Sequence, residues 1–388
     1  MQAFSSRYKG LIFVIAIASI LWVFYTHFSK VLDYDQCELC DRHEYVKLFE
    51  YFESGESSQI KFPFYLRPIT PFLAALLPSS DLWWSFYWVN LAFFLLSIAA
   101  LYFLWKSFQL NWPSMALGFF WLMIHWTGVI RYNLMDYVTV DVPVYLVQAL
   151  ALLIFFKKKH KWFYLLTPLA ILQKESFVPV IIMMILVTAY LSPREKWWRE
   201  GKHLVLSLVL GLLIQKLWIW YFPEQFDQRS SVAALLYHAR LVVLDPSRII
   251  RWFSAVGTAF GLLPILPLLV VQKNIFADKN RLTLAMLSLM FFAFGLTAGE
   301  DMTRIIFLGF PFVMSLILLE MKKMNPKVAA LAFLLSLPSL RLYPFHSDVN
   351  WAVDYAPIEY VMGWAMYYFA AIVIFIAYYL YQKRQKRL

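Results

Sequence analysis

The chain has 388 residues, of which 61% are hydrophobic, 19% aromatic and only 15% charged. A soluble globule of this length could not bury so much apolar surface, so the composition excludes a soluble protein. Apolar runs recur along the chain, and each approaches the ~20 residues with which a helix crosses ~30 Å of hydrocarbon. Strands of a transmembrane barrel would be only ~10 residues long and would alternate in polarity. The sequence therefore predicts an all-α polytopic membrane protein.

The hydropathy pattern predicts about twelve transmembrane helices. The first follows Arg7 and Lys9, as in a signal peptide, but it is long and no small-residue cleavage pattern follows it, so we interpret it as a retained helix. We find no internal repeat and no separate soluble domain. The predicted spans are residues 11–28, 82–105, 113–130, 140–156, 162–173, 176–191, 204–221, 250–271, 282–298, 305–320, 328–340 and 362–381.

Charged residues are segregated by side of the membrane in this arrangement. Both termini share one side with most of the basic clusters, whereas the acids on that side are few: Glu195, Glu200, Asp278 and Glu320. Because basic loops stay in the cytoplasm, both termini are predicted to be cytoplasmic, in a multi-pass protein of a bacterial cytoplasmic (inner) membrane. The net charge of +11 follows from this bias, so we expect contacts with membrane lipids and none with nucleic acid.

Three long outer loops are predicted, at residues 29–81, 222–249 and 341–361. In the first, apolar residues spaced at i, i+3, i+4 and i+7 predict an amphipathic helix on the bilayer surface: Tyr45, Leu48, Phe49 and Phe52. Further interfacial stretches are predicted at Pro71–Leu77, and at Ser231–Leu244 before Asp245-Pro246 starts a new helix. The loops would form a vestibule over the membrane mouth.

Cys37 and Cys40 form a single C-x-x-C motif outside the membrane. Two cysteines are too few for a structural zinc site, which needs four ligands. A disulfide and two free thiols both remain open, and we favour neither a redox role nor a metal.

Asp41 is the candidate general base, because a carboxylate at the start of a surface helix can take a proton from a hydroxyl acceptor. The pattern Asp41-x-x-Glu44 also fits an N-terminal capping arrangement. The two interpretations are compatible, since a cap would fix Asp41 while leaving one oxygen available. Asp33 and Asp35 are rival acids.

Further charged candidates lie in other connections. Arg131, Asp136 and Asp141 crowd the turn between the third and fourth predicted spans, where Asp141 also fits a helix cap. Lys174 and Glu175 interrupt an apolar region, where ionisable groups are costly enough to indicate function, although a polar turn also fits.

The remaining candidate positions also have structural interpretations. Lys216, within the seventh span, either snorkels to the interface or holds an anionic headgroup. Asp301 and Arg304 open a later helix, where Glu300 and Arg304 can pair at i, i+4. His125 is interpreted as a packing histidine.

Acids and cations from several connections share one predicted face, which favours transfer of a group from a lipid-phosphate donor. Cations would stabilise charge on the departing phosphate and a carboxylate would activate the incoming hydroxyl. This chemistry requires no metal or other cofactor, although a divalent cation could take part.

The order of these features resembles the GT-C superfamily of integral-membrane glycosyltransferases, which use polyprenyl-phosphate-linked sugars. In that family an Asp precedes a Tyr by four residues, as Asp41 precedes Tyr45, and an R-x-x-x-P element resembles Arg67 to Pro71. Asp141, the pair Lys174-Glu175, and Asp301 to Arg304 resemble further family features. The resemblance is strongest over residues 1–190, read as the GT-C-like module of a single transmembrane domain, 1–388. Residues 191–388 would be a more variable helical part.

The resemblance implies an inverting glycosyltransferase with Asp41, and as a second candidate Asp141, as catalytic residue. It implies a polyprenyl-phosphate-linked sugar donor and a glycan, lipid or protein acceptor. Donor and substrate would be bound by residues drawn from Tyr45, Arg67, Arg131, Lys174, Glu175, Lys216, Asp301 and Arg304. An O-antigen ligase or polymerase is an alternative enzyme, and a lipid or solute transporter or flippase an alternative of another class.

Overall fold

The computed structural model describes residues 2–32, 40–55, 59–79, 81–222, 231–270, 278–299, 301–342 and 356–385. These residues form helices joined by turns, with no β-strand among them. The α-helices are α1 (Gln2–Phe28), α2 (Arg42–Ser54), α3 (Ile69–Ala75), α4 (Leu82–Ser107), α5 (Trp112–Ile124), α6 (Arg131–Met135), α7 (Val142–Phe156), α8 (Phe163–Gln173), α9 (Phe177–Leu191), α10 (Arg194–Tyr221), α11 (Ser231–Leu244), α12 (Ser247–Phe260), α13 (Ile265–Val270), α14 (Lys279–Thr297), α15 (Met302–Leu308), α16 (Phe310–Met321), α17 (Pro326–Ser336) and α18 (Ile358–Gln385).

Long apolar helices confirm the prediction of an all-α, multi-pass membrane protein. Within the described part of the chain, five helices are long and apolar enough to cross a bilayer: α1, α4, α10, α14 and α18. Helices α15 and α16 would together add a sixth. The other apolar helices, such as α5, α7 and α9, have only 10–17 residues. The predicted total of twelve crossings stays a prediction.

Two of the predicted spans are not single helices. The span predicted at 250–271 divides at Gly261, whose φ of 59° ends α12 before α13 begins. An added Cβ there would clash with Ser336, so the chain turns where only glycine fits. The span predicted at 305–320 divides at Gly309 into α15 and α16, bent by 63°. A hydropathy profile identifies apolar segments, but it does not reveal such breaks in the backbone.

The described helices group into two compact units that interleave along the chain. Unit 1 comprises Met1–Gln109, Val129–Ser231 and Ala277–Thr283, and unit 2 comprises Leu110–Gly128, Val232–Phe276 and Leu284–Leu388. In unit 1, α4 packs along α7, and α10 packs on α8 and α9. In unit 2, α12 packs against α15 and α18, and α16 packs against α5 and α13. The proposed division at residue 190 stays a prediction.

The amphipathic helix predicted in the first outer loop is α2. Its apolar side buries Tyr45, Leu48 and Phe49, and it ends at Gly55, whose φ of 75° suits a left-handed cap. The stretch predicted at Pro71–Leu77 corresponds to α3, and the one at Ser231–Leu244 to α11. These helices are confirmed as helices, and their contact with lipid stays a prediction.

Candidate functional site

The start of α2 presents Asp41 without using its carboxylate as a cap. Asp41 occupies the N-cap position, but its side chain makes no cap hydrogen bond. Glu44, the other half of the expected capping box, accepts instead from the backbone N–H of Lys61 at 2.8 Å and from Lys47 Nζ at 3.0 Å. The capping interpretation of this motif was therefore wrong, because Glu44 ties α2 to the segment around Lys61.

Arg67 joins α2 to the connection between α8 and α9. Its Nε donates to Glu175 Oε2 at 2.9 Å and its Nη2 to Glu175 Oε1 at 2.5 Å, a bidentate ion pair. Its Nη1 donates to the Tyr45 hydroxyl at 2.9 Å. The Arg67 side chain is only 9% exposed and Tyr45 is fully buried. Each guanidinium nitrogen thus holds a protein partner, so this geometry suits Arg67 to positioning Tyr45 more than to receiving a phosphate.

A second buried ion pair involves Lys174, the residue directly before Glu175. Lys174 Nζ contacts Asp141 Oδ1 at 2.5 Å, and the two side chains are only 12% and 7% exposed. Asp141 precedes α7, and its side chain makes no cap hydrogen bond. Its expected role as a simple cap was therefore wrong as well, because the carboxylate neutralises a buried lysine.

Gln173 and Thr70 complete this arrangement, and sequence reasoning missed both as site residues. Gln173 Nε2 donates to the carbonyl of Val140 at 2.7 Å and to Thr70 Oγ1 at 2.8 Å. These bonds fix the end of α8 and the start of α3 beside the residue preceding Asp141. The sequence carried a weak signal, because Gln173 directly precedes the singled-out Lys174 in an apolar run.

Three charged side chains, those of Arg67, Asp41 and Asp141, affect the pKa of the Tyr45 hydroxyl. Burial raises the pKa of Tyr45, Arg67 acts in the opposite direction, and the carboxylates of Asp41 and Asp141 raise it further. Tyr45 therefore stays protonated at neutral pH, and both acids lie near enough to influence it. We define the acid–tyrosine cluster as Asp41, Tyr45, Arg67, Asp141, Lys174 and Glu175.

The acid–tyrosine cluster carries an excess of negative charge. Its two cations, Arg67 and Lys174, face three carboxylates, Asp41, Asp141 and Glu175, when all are ionised. Such a balance suits proton transfer to a carboxylate better than it suits anion binding. A donor phosphate near it would need a further cation.

Two other predicted cations of unit 1 differ in their surroundings. Arg131, at the start of α6, is 3% exposed and its guanidinium lies 5.9 Å from the centre of the Tyr25 ring. The buried Asp136 follows the same short helix. Lys216 is exposed on α10, near the exposed side chains of Leu213 and Leu217. That setting favours snorkelling, and its role in donor binding stays a prediction.

In unit 2, Arg304 Nη1 lies 3.2 Å from Asp301 Oδ2 at the start of α15. The pairing predicted with Glu300 lies outside the described residues. His125 is fully buried and both ring nitrogens are bonded, Nε2 to the Thr258 carbonyl at 2.8 Å and Nδ1 to Thr127. Its interpretation as a packing histidine is confirmed.

Cys40 is disulfide-bonded, which resolves the alternative of free thiols. Cys37 and the rival acids Asp33 and Asp35 lie outside the described residues. Within the ranges given above, no three His, Cys, Asp or Glu side chains are grouped so that they could hold a metal ion. The participation of a divalent cation stays a prediction.

Comparisons with family models, with curated proteins and with solved structures find no match to this chain. The assignment of a function therefore depends on the chemistry of the acid–tyrosine cluster and on the sequence resemblance.

Proposed function

We propose that the protein is a membrane glycosyltransferase. It would move a sugar from a polyprenyl-phosphate-linked donor to a glycan, lipid or protein acceptor on the outer face of the cytoplasmic membrane. The observation that carries this proposal is the placement of Asp41. Its carboxylate is not used as a helix cap, and it lies near a buried tyrosine that an arginine–glutamate pair holds in place.

In the proposed reaction, Asp41 accepts the proton of the acceptor hydroxyl. The acceptor oxygen forms a bond to the anomeric carbon, and the bond from that carbon to the donor phosphate oxygen breaks with inversion. The electron pair of the broken bond stays on the lipid phosphate, whose growing charge a nearby cation would stabilise. Arg131, a buried cation of the same unit, is our first candidate for that cation.

Tyr45, Arg67 and Glu175 act as positioning residues in this scheme. The bidentate pair fixes the guanidinium, the guanidinium fixes the Tyr45 hydroxyl, and α2 carries Asp41 one turn before Tyr45. A base held in this way loses little entropy in reaching the acceptor.

The test is sugar transfer by purified full-length protein with a panel of polyprenyl-phosphate sugars. Asp41→Asn keeps the shape of the side chain but removes the base, so we expect transfer to fall by about 10²- to 10⁴-fold. Glu53→Gln is the matched control, since it makes the same chemical change at an exposed position of the same helix.

Full transfer by Asp41→Asn would reject Asp41 as the base and direct the same test to Asp33, Asp35 and Asp141. Detergent-solubilised yield and the thermal unfolding midpoint should match between Asp41→Asn and Glu53→Gln. A chelator arm in the same assay measures whether a divalent cation is needed.

A lipid transporter or flippase is the second candidate, favoured by the 63° bend between α15 and α16. Broken helices are common around the binding sites of transporters. Purified protein in liposomes would then move a labelled lipid between leaflets without forming a glycosylated product. Absence of flipping together with transfer of sugar would exclude this candidate.

A further inference from the structure

Arg248 of unit 2 is a buried cation that forms no ion pair with a carboxylate of the described residues. Its side chain lies in the first turn of α12 and is 7% exposed. Its Nη2 donates to the carbonyl of Gly299 at 2.8 Å and lies 3.2 Å from His238 Nδ1. The Nε atom is buried and has no hydrogen-bond acceptor, whereas the Nη1 atom is not buried in this way. Since an unneutralised buried guanidinium is costly, such a site favours an external anion.

The neighbouring acid does not supply the missing contact. Asp245 is exposed, and its carboxylate accepts from the backbone N–H of Ser247 at 3.0 Å. Arg251, one turn further along α12, donates to the carbonyl of Ala356 at 2.8 Å. The start of α12 therefore presents two guanidinium groups that are positioned by backbone carbonyls.

The surface next to Arg248 is apolar and exposed. On α11, Val232, Leu236 and Val243 are 65%, 64% and 81% exposed, and Ile249, next to Arg248 on α12, is 50% exposed. An exposed apolar helix beside a cationic turn matches the boundary between acyl chains and headgroups. Residues 231–251 carry three arginines, at 240, 248 and 251, against one acid, Asp245, which favours an anionic headgroup.

We propose that Arg248 binds the phosphate of an anionic phospholipid of the bilayer, whose acyl chains lie against α11 and Ile249. The guanidinium can donate to the phosphate oxygens from the edge that its protein partners leave open. The proposal concerns a lipid site and is independent of the sugar transfer proposed above, because its readout is lipid binding. A polyprenyl phosphate as occupant is an outcome of the test.

The experiment is native mass spectrometry of the full-length protein in neutral detergent, with phosphatidylglycerol and phosphatidylcholine of identical acyl chains. We expect selective retention of phosphatidylglycerol by the unsubstituted protein. Loss of one charge-assisted contact in Arg248→Gln should lower the affinity by about ten- to a hundredfold. Arg240→Gln is the matched control, because it removes an exposed charge of α11 and should retain the lipid.

Three results would overturn the proposal: equal retention of both lipids by the unsubstituted protein, equal losses in Arg240→Gln and Arg248→Gln, or undiminished binding by Arg248→Gln. Displacement of phosphatidylglycerol by an equimolar polyprenyl phosphate would also overturn it, by assigning the site to the carrier. Inorganic phosphate at the same concentration should compete weakly, because it lacks acyl chains. If Arg248→Gln does not fold, the selectivity of the unsubstituted protein and the weaker binding expected for Arg248→Lys still decide the question.

Discussion

The two units neutralise their buried cations in different ways. In unit 1, Arg67 and Lys174 each contact a carboxylate of the same unit, Glu175 or Asp141. In unit 2, Arg248 contacts the carbonyl of Gly299. A carbonyl satisfies a donor without cancelling its charge. Unit 1 therefore resembles a closed polar site with an excess acid, whereas Arg248 of unit 2 retains positive charge that can attract an anion.

The largest effect is expected at Glu175, the counter-ion of Arg67. Glu175→Gln should destabilise the protein by about 3 to 5 kcal/mol, because it leaves the buried charge of Arg67 without a counter-ion. Chemical unfolding in detergent, followed by tryptophan fluorescence, measures the loss. The double variant Arg67→Met/Glu175→Leu should recover part of it, because both charges are then gone. A loss no larger than that of the exposed control Glu53→Gln would contradict the importance of this pair.

The next largest effect is the dependence of stability on pH that His160 causes. This residue lies in the short turn His160–Trp162 of unit 1. Burial, and then the charge of Lys279, lowers the pKa of His160 from 6.5 to about 4. The unfolded chain takes up a proton as pH falls through 6.5, but the folded protein does not until about pH 4. Stability contributed by the neutral ring is complete above pH 6.5 and is lost between these values, by about 3 kcal/mol at most.

His160→Phe should remove this pH dependence. The ring lies among aromatic side chains, 5.8 Å from Phe155 and 6.4 Å from Phe163 between ring centres, so phenylalanine fits its surroundings chemically. Unfolding midpoints measured from pH 7.5 to 4.5 should fall less steeply for His160→Phe than for the unsubstituted protein. Parallel curves would assign the dependence to other groups.

Tyr45→Phe should have an intermediate effect. It keeps the ring that packs edge-on against Phe64 at 5.2 Å, but it removes the acceptor of Arg67 Nη1. Hydrogen bonds to charged groups contribute about 1.5 to 3 kcal/mol, and we expect about 2 here. Under the proposed function, transfer should fall while the affinity for donor changes little, because Tyr45 positions the base. A rise in KM with unchanged kcat would instead indicate that Tyr45 binds substrate.

The smallest effect is expected in unit 2, at Arg304. Its pair with Asp301 spans one turn of a short helix, and the Asp301 side chain is 36% exposed. Pairs of this kind contribute about 0 to 1 kcal/mol, so Arg304→Gln should change the unfolding free energy by about 0.5 kcal/mol. A loss of unfolding free energy as large as that of Glu175→Gln would show that ion pairs contribute equally to the stability of the two units.

Much of the fold could be predicted from the sequence, because apolar periodicity acts locally. The spacing of Tyr45, Leu48 and Phe49 predicted α2, and the stretch from Ser231 to Leu244 coincides with α11. The breaks at Gly261 and Gly309 could not be predicted, because they depend on close packing against distant side chains, Ser336 and Phe291.

The sequence predicted the members of the acid–tyrosine cluster, but it predicted neither their pairing nor the supporting residues Thr70 and Gln173. The sequence singled out Asp41, Tyr45, Arg67 and the Lys174-Glu175 pair by residue type and by resemblance. It did not show that Arg67 pairs with Glu175, because the pair joins positions 108 residues apart. Ion pairs over such separations arise from tertiary packing, for which a single sequence carries no local pattern.

That separation has a consequence for assembly. Arg67 is synthesised early, and its counter-ion is added 108 residues later, an interval on the order of ten seconds at usual rates of translation. Until then the first loop lacks the contact that fixes Tyr45 and, with it, the start of α2. The contacts that fix the start of α2 are thus completed only after the α8–α9 connection has been made, and a nascent chain stalled before Glu175 would leave Tyr45 and the neighbouring Asp41 without that support.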